Sequence, residues 1–187
     1  MIFNPQTQGA VPIRSTAPEF LEAFRQRIST GLLTGRPHPR SNYRMSATGP
    51  DRLAVHAVDW WTAINVGLNE LELRPHPGSV RYRVRYWRWL QFGLALCGML
   101  GLIGIVLLVS LDVRGYIEQH SASRVPGLSV EQNLLVAWFM VLFWGFVWPW
   151  LLVPIHKRPL RELVERIITE VDARVTPGTD QQFGGDP

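Results

Sequence analysis

Closely spaced arginines are the densest chemical feature of this sequence. Arg81, Arg83 and Arg85 alternate with apolar residues and precede a long apolar segment. Guanidinium groups bind carboxylates and phosphates through paired N–H donors. Because the cytoplasmic leaflet of a membrane is anionic, lipid headgroups are the expected contacts; an acidic protein partner is the alternative, and nucleic acid is not expected. The predicted basic residues of the membrane surface are Arg81, Arg83, Arg85, Arg88, Lys157 and Arg158.

Acid–base chemistry has one candidate pair, His56 and Asp59. An enzyme would use Asp59 as an acid or base beside the aromatic platform of Trp60 and Trp61. We favour the alternative in which Asp59 caps a helix, the tryptophans pack or anchor an interface, and His56 is a surface or packing residue. The sequence holds no glycine-rich phosphate loop, nucleophile elbow or Ser/His/Asp set. It therefore predicts a protein that is not an enzyme.

Cysteine and histidine are too sparse for a metal or disulfide framework. The 187 residues include 5 dispersed histidines and 1 cysteine, Cys97. A structural zinc site needs a cluster of such ligands, and a disulfide within the chain needs a second cysteine. Histidine would also be the usual ligand of haem or chlorophyll, and neither long apolar segment contains one. No metal or other cofactor is therefore expected.

Hydrophobic residues are concentrated in two segments. The chain is 47% hydrophobic with a net charge of +4, yet residues 90–111 and 134–155 contain no charged residue. A helix of this length rises about 33 Å, and the hydrocarbon core of a bilayer is about 30 Å thick, so each segment predicts a transmembrane helix. The arginine-rich flanks predict cytoplasmic termini and an external 112–133 loop, as in a multi-pass protein of a bacterial-type inner membrane.

Small residues lie on one face of the first predicted transmembrane helix, and large aromatic residues lie on one face of the second. Because small residues let helices approach closely in lipid, we expect an antiparallel hairpin. The predicted packing residues are Gly93, Cys97, Gly101, Gly104, Phe139, Phe143 and Phe146. The residues predicted to contact a lipid, a pigment or another subunit are Trp144, Trp148 and Trp150. Pro149 cannot donate a backbone hydrogen bond to Gly145, which predicts a kink.

Elements on both sides of the hairpin predict one small cytoplasmic domain. An amphipathic helix follows a capping box at Thr16, two strand pairs come next, and the apolar stripe of a helix at 156–175 is expected to cover the sheet. The predicted fold class is an α+β membrane protein: a transmembrane two-helix antiparallel hairpin attached to a small cytoplasmic domain of about four antiparallel strands flanked by an N-terminal and a C-terminal amphipathic helix. The predicted segments are an irregular N-terminal arm (1–17), the cytoplasmic α+β domain (18–89), transmembrane helix 1 (90–111), an extracytoplasmic loop (112–133), transmembrane helix 2 (134–155), the C-terminal amphipathic helix (156–175) and a flexible tail (176–187).

These features favour a non-catalytic accessory subunit of a larger integral membrane complex. Energy-transducing complexes, respiratory or photosynthetic, are the candidate class, and the expected partners are membrane lipids and other integral membrane subunits. The alternative is a membrane-anchored sensor or a module that binds a small ligand or lipid. That alternative requires a cavity beneath the C-terminal helix instead of a filled core.

Overall fold

The structure, a computed structural model, describes residues 3–32, 43–49, 51–120 and 125–176. The chain divides into two compact units. The sheet unit comprises Asn4–Trp89 and His156–Pro187, and the apolar unit comprises Met1–Phe3 and Leu90–Ile155. The elements in chain order are β1 (Gln6–Pro12), α1 (Ala17–Thr30), β2 (Tyr43–Gly49), β3 (Arg52–Ala57), α2 (Trp60–Val66), β4 (Glu70–His76), β5 (Ser79–Arg85), α3 (Trp87–Ser110), α4 (Val113–Gln119), α5 (Val130–Leu142), a π-helical turn (Phe143–Val147) and α6 (Trp148–Val175).

The sheet unit is built on one five-stranded sheet in the order β1-β5-β4-β3-β2, and every neighbouring pair is antiparallel. The predicted α+β class and antiparallel strand pairs are confirmed. In β5, Val80, Tyr82 and Val84 are buried while the arginines between them are exposed. This alternation gives the sheet one covered apolar face and one open basic face.

The prediction of an irregular N-terminal arm and about four strands is wrong, because β1 pairs with β5 along its whole length, from Gln6 opposite Arg85 to Pro12 opposite Ser79. This edge strand lacks a run of large apolar residues that would mark it in the sequence. One position of β1 is Gly9, and a larger residue does not fit there. The Tyr82 side chain lies over Gly9, and a Cβ on this residue would lie 2.5 Å from the Tyr82 hydroxyl oxygen.

The core of the sheet unit lies between the apolar face of the sheet and two helices, α1 and the 156–175 part of α6. The predicted capping box is present, since Thr16 and Glu19 bond reciprocally at the start of α1. The helices are joined by an Arg27–Glu170 ion pair of 3.1 Å, and the Tyr82 hydroxyl donates to Glu165 at 2.8 Å. The side chains that fill this core include Phe20, Phe24, Leu53, Leu71, Val84, Leu160, Val164 and Ile168.

The apolar unit contains most of α3, all of α4 and α5, and the beginning of α6. Among the described residues, two continuous helical stretches are long and apolar enough to cross a membrane by length and composition: Trp87–Ser110 and Val130–Val175. Their most apolar 18-residue stretches have mean hydropathies of 2.6 and 1.9, and 6% and 17% of those residues are buried. The predicted loop between them includes the short helix α4.

The second long helix changes geometry beside Pro149, where the sequence predicts a kink. The backbone N–H of Trp148 donates to Phe143 across a π-helical turn. Such a widened turn accompanies the hydrogen bond that proline cannot make. Beyond it, α6 runs without interruption to Val175, so the helix expected to begin at residue 156 is the C-terminal part of a longer one. The predicted flexible tail lies outside the described residues after Thr176.

Candidate functional site

Two glycines of the apolar unit face each other at van der Waals distance. A Cβ built on Gly101 would lie 2.8 Å from the Cα of Gly145, and one on Gly145 would lie 2.7 Å from the Cα of Gly101. Gly104 is equally restricted, because its Cβ would lie 2.9 Å from the Val141 side chain. Small residues at these positions therefore set how closely α3 and the second long helix approach. Gly145 is not among the predicted packing residues, although it is the single glycine of segment 134–155.

The other predicted packing residues are distributed differently. Phe146 lies against Gly101, and the carbonyl of Cys97 would lie 3.5 Å from a Cβ on Gly145. In contrast, a Cβ on Gly93 would meet no described atom within 4 Å, and Phe139 is 58% exposed. The close approach is thus made by glycine against glycine, with Phe146 beside it, instead of by a full row of aromatic residues over small ones.

A row of aromatic side chains runs along the second long helix, and we call it the aromatic ribbon: Phe139, Phe143, Trp144 and Trp148. Phe143 stacks on Phe139 with ring centroids 5.5 Å apart and meets Trp144 edge-on at 5.8 Å, and Trp144 lies 4.5 Å from Trp148. Trp144 and Trp150 are 45% and 42% exposed, and Trp148 is half-buried. The residues predicted to make lateral contacts therefore present ring surface outward from the apolar unit.

The open face of the sheet carries a groove of about 1080 Å³. We call it the arginine groove. Its lining residues with a charged or imidazole side chain are Asp51, Arg52, Glu72, Arg74, His76, Arg81 and Arg83. Strand register brings them together, since Arg74 lies opposite Arg81 and Glu72 lies opposite Arg83 on β4 and β5. Guanidinium groups from three neighbouring strands thus line one surface, which is suited to binding an anion.

Glu72 is the buried carboxylate of the arginine groove. Its Oε1 lies 3.0 Å from Arg52 and 2.7 Å from Arg74. Burial alone would raise the pKa of Glu72, but the hydrogen bond from Arg74 and the charges of Arg52, Arg74 and Arg83 outweigh it and hold this pKa below its usual range. Glu72 is therefore ionised at neutral pH and holds Arg52 and Arg74 in place.

The predicted membrane-surface arginines have different surroundings in the sheet unit. Arg85 pairs with Glu70 at 3.1 Å, whereas Arg81 and Arg83 form no ion pair with another described residue. Arg88 lies in the first turn of α3, where its backbone N–H donates to the Asn69 side-chain oxygen at 2.9 Å. Lys157 and Arg158 lie on α6, and Arg158 pairs with Glu162 at 2.9 Å.

Asp59 is the N-cap of α2, as the favoured interpretation has it. Its Oδ1 accepts the backbone N–H of Thr62 at 2.7 Å and its Oδ2 accepts the Thr62 hydroxyl at 2.9 Å. The backbone hydrogen bond from Thr62 is the main cause of a lowered pKa for Asp59. Both carboxylate oxygens are thus engaged in capping. Neither Asp59 nor His56 lines the arginine groove.

His56 and His156 each hold a ring nitrogen away from solvent. The Nδ1 of His56 and the Nε2 of His156 are buried and have no hydrogen-bond partner among the described residues. His156 stacks on Trp89 with ring centroids 4.2 Å apart and meets Tyr86 edge-on. Gly67, in the left-handed region at φ 74°, lets the His156 ring approach, because a Cβ there would overlap Nε2. This cluster is not predictable from local sequence, because Gly67, Trp89 and His156 are far apart in the chain.

Metal binding and a cavity beneath α6 find no support in the described part of the chain. There, no three His, Cys, Asp or Glu residues are grouped so that they could hold a metal ion. The space under α6 is filled by the core side chains, and the arginine groove lies on the opposite face of the sheet. What the arrangement can do is bind anions on the sheet and pack apolar surface around the long helices.

No protein-family model matches the chain, and neither a curated protein nor a solved structure matches it.

Proposed function

We propose that this chain is a membrane-anchored, non-catalytic accessory subunit of a larger integral membrane complex of the energy-transducing class. Its long apolar helices would cross a bacterial-type inner membrane as an antiparallel hairpin. Both termini and the sheet unit would lie in the cytoplasm. In this role the hairpin stabilises the packing of neighbouring membrane subunits, and the sheet unit presents the arginine groove to a soluble part of the assembly.

The outward-facing aromatic ribbon is the observation that carries this proposal. Apolar side chains exposed along an entire helix are stable in hydrocarbon but not in water. Lipid satisfies them, yet it offers no acceptor for an indole N–H in the middle of a span. Trp144 lies about midway along the 134–155 segment and is 45% exposed. A neighbouring helix with a free carbonyl or hydroxyl would both cover its ring and accept its hydrogen bond.

Anchoring by two helices also agrees with the charges at their ends. Arg85 and Arg88 precede the apolar part of α3, and Lys157 and Arg158 follow the apolar part of α6. The segment between the helices balances its charges locally, since Arg114 pairs with Glu118 at 3.1 Å and with Glu131 at 3.0 Å. By the positive-inside rule, this asymmetry supports cytoplasmic termini.

The alternative of a membrane-anchored sensor or lipid-binding module receives less support. It relies on an apolar cavity beneath the C-terminal helix, and this position is occupied by Phe20, Phe24 and Ile168, which are almost completely buried. A ligand for the sheet unit would instead meet the arginine groove.

Native mass measurement tests the subunit proposal. The C-terminally tagged chain is extracted from native membranes with a mild detergent, and the mass and composition of the purified species are determined. We expect stoichiometric co-purification with integral membrane subunits. A monomer or homodimer without other proteins would contradict the proposal.

A pair of tryptophan variants shows whether the aromatic ribbon is responsible. Trp144→Leu should weaken co-purification, because it removes the indole N–H and much of the ring surface. Trp87→Leu is the matched control, since Trp87 is 49% exposed but lies in the sheet unit. Equal loss of partners from both variants would show that the ribbon has no specific part in assembly.

A further inference from the structure

We infer that the arginine groove is the docking site for an acidic, extended protein segment. This inference rests on the proposed function in one respect, because the segment would belong to a partner of the accessory subunit. Four arginines line the groove against two carboxylates, Asp51 and Glu72, so positive charge is in excess. The groove is built on regular strands, which hold the positions of its charges more firmly than a loop would.

Glu72 forms ion pairs with two of the four arginines, and the charge of a third, Arg83, also acts on it. Arg52 and Arg74 are held by the Glu72 carboxylate at 3.0 and 2.7 Å. Arg81 and Arg83 are exposed and form no ion pair with another described residue. The first pair shows that a carboxylate fits among these guanidinium groups, and the second pair is available to a carboxylate from another molecule.

The spacing of Arg81 and Arg83 fits an extended ligand. Alternate residues of a strand lie on one face at a separation of about 6.6 Å. An extended acidic segment repeats its side chains with the same period, so carboxylates at alternate positions can face both arginines at once. A single carboxylate can bridge two guanidinium groups, as Glu72 does, but an extended segment can give each of the two arginines a carboxylate of its own. A segment of alternating acidic and small polar residues is therefore the ligand whose geometry matches.

Within the sheet unit, the groove lies toward the β4–β5 turn, and Pro75, His76 and Pro77 are part of its lining. Arg85 and Arg88 lie outside the groove and remain the candidates for headgroup contact.

Fluorescence anisotropy on the full chain in phosphatidylcholine nanodiscs tests this inference. The probe is a fluorescein-labelled peptide of alternating glutamate and serine, and the control peptide has glutamine in place of glutamate. We expect saturable binding of the glutamate peptide, no binding of the glutamine peptide, and an affinity that falls with added salt. The double variant Arg81→Gln/Arg83→Gln should weaken binding about five- to tenfold.

The control variant Arg166→Gln/Arg174→Gln makes the same change in net charge on α6, where both residues are exposed. It should change the affinity less than about twofold, because a distant charge is screened. Equal weakening by both double variants would overturn the inference, since binding would then follow net charge alone. Failure of the native chain to bind the glutamate peptide at low salt would overturn it as well.

Two further measurements separate the possible ligands. If soluble glycerophosphoserine displaces the labelled glutamate peptide more effectively than the unlabelled glutamate peptide does, the groove contacts lipid and the inference is wrong. Glu72→Gln should tighten peptide binding, because it releases Arg52 and Arg74. Peptide binding by a chain that copurifies with no partner would leave the groove as inferred and contradict the subunit proposal alone.

Discussion

The sheet unit and the apolar unit differ in how much of their apolar side chains they bury. In the sheet unit, Phe24, Leu71 and Val84 are completely buried between the sheet and two helices. In α3, 6% of the residues in the most apolar stretch are buried. The sheet unit is stabilised by removing apolar surface from water. In the apolar unit, two helices meet closely at Gly101 and Gly145, and most of the apolar surface is not covered by the chain itself. Hydrocarbon or another protein is what we propose covers it.

Polar groups tie neighbouring segments together in both units. The sheet unit uses buried carboxylates to tie elements together, as Glu72 does for the arginines and Asp172 does for the backbone of Arg14 and Ser15. In the apolar unit, Asn133 makes comparable ties one residue before the second apolar segment. There Asn133 accepts the backbone N–H of Val125 at 2.7 Å and donates to Ser129 at 2.9 Å.

Truncating a phenylalanine should have the largest effect in the sheet unit and almost none in the apolar unit. Phe24→Ala removes a fully buried ring, so the free energy of unfolding of the sheet unit should fall by about 3–5 kcal/mol. Phe139→Ala, the matched control, removes a ring that is 58% exposed and should cost about 0.5 kcal/mol or less. Pulse proteolysis across a urea series, with the full chain in a mild detergent, measures both. Similar losses would show that the two units do not differ in this respect.

Replacing a glycine by a larger residue should lower the stability of the apolar unit where the glycine is in close contact with another helix. Gly101→Leu forces atoms into the space occupied by Gly145 and should lower the stability of the apolar unit by about 3 kcal/mol. Gly93→Leu is the control, because no described atom lies within 4 Å of its Cβ position. Thermal denaturation in detergent should give a clearly lower Tm for Gly101→Leu alone. An unchanged Tm for Gly101→Leu would rule out the glycine contact as a source of stability.

Replacing Asp172 tests how much a buried, hydrogen-bonded carboxylate contributes to the stability of the sheet unit. Its carboxylate accepts the backbone N–H groups of Arg14 and Ser15 and the Ser15 hydroxyl, at 2.6 to 3.1 Å. Asp172→Ala leaves these donors without an acceptor and should cost about 2 kcal/mol. Glu162→Ala removes an exposed partner of Arg158 and should cost less than about 0.5 kcal/mol in the same urea series. Equal effects would mean that Asp172 has no special structural role.

Acid should weaken the sheet unit slightly through Glu72. Because its folded-state pKa is lowered, its ion pairs contribute stability above the unfolded-state pKa, and this contribution is lost as pH falls through the folded-state value. Since Arg52 and Arg74 are half exposed, the contribution is less than about 1 kcal/mol. The stability difference between the native chain and Glu72→Gln should therefore be present at neutral pH and shrink in acid. A difference independent of pH would contradict this.

The sequence predicts those elements whose side chains carry a strong local pattern. The alternation around Tyr82 identifies β5, and Thr16 with Glu19 marks the start of α1. β1 is missed because an edge strand with polar residues and Gly9 has little apolar periodicity, and its pairing with β5 is a long-range contact. The continuity of α6 is missed because Pro154 and Pro159 suggest a break that the helix tolerates.

The candidate sites show the same limit. Arg81 and Arg83 are predictable as neighbours on one face, since they are two residues apart on a strand. That Arg74 and Glu72 join them depends on the register of β4 with β5, which local sequence does not specify. Likewise Gly101 is identifiable as a packing residue, but its contact with Gly145 depends on how two distant helices align.

Cysteine accessibility is the most direct test of the proposed hairpin. In a Cys97→Ser background, Gln26→Cys and Gln119→Cys each introduce one exposed thiol, on α1 and α4 respectively. Intact bacterial cells producing each variant are treated with a membrane-impermeant maleimide before and after permeabilisation. A hairpin with cytoplasmic termini predicts that position 119 is labelled in cells whose outer membrane alone is opened, and position 26 only after the inner membrane is broken. Labelling of both positions under the same condition would show that α3 does not cross the membrane and would contradict the hairpin.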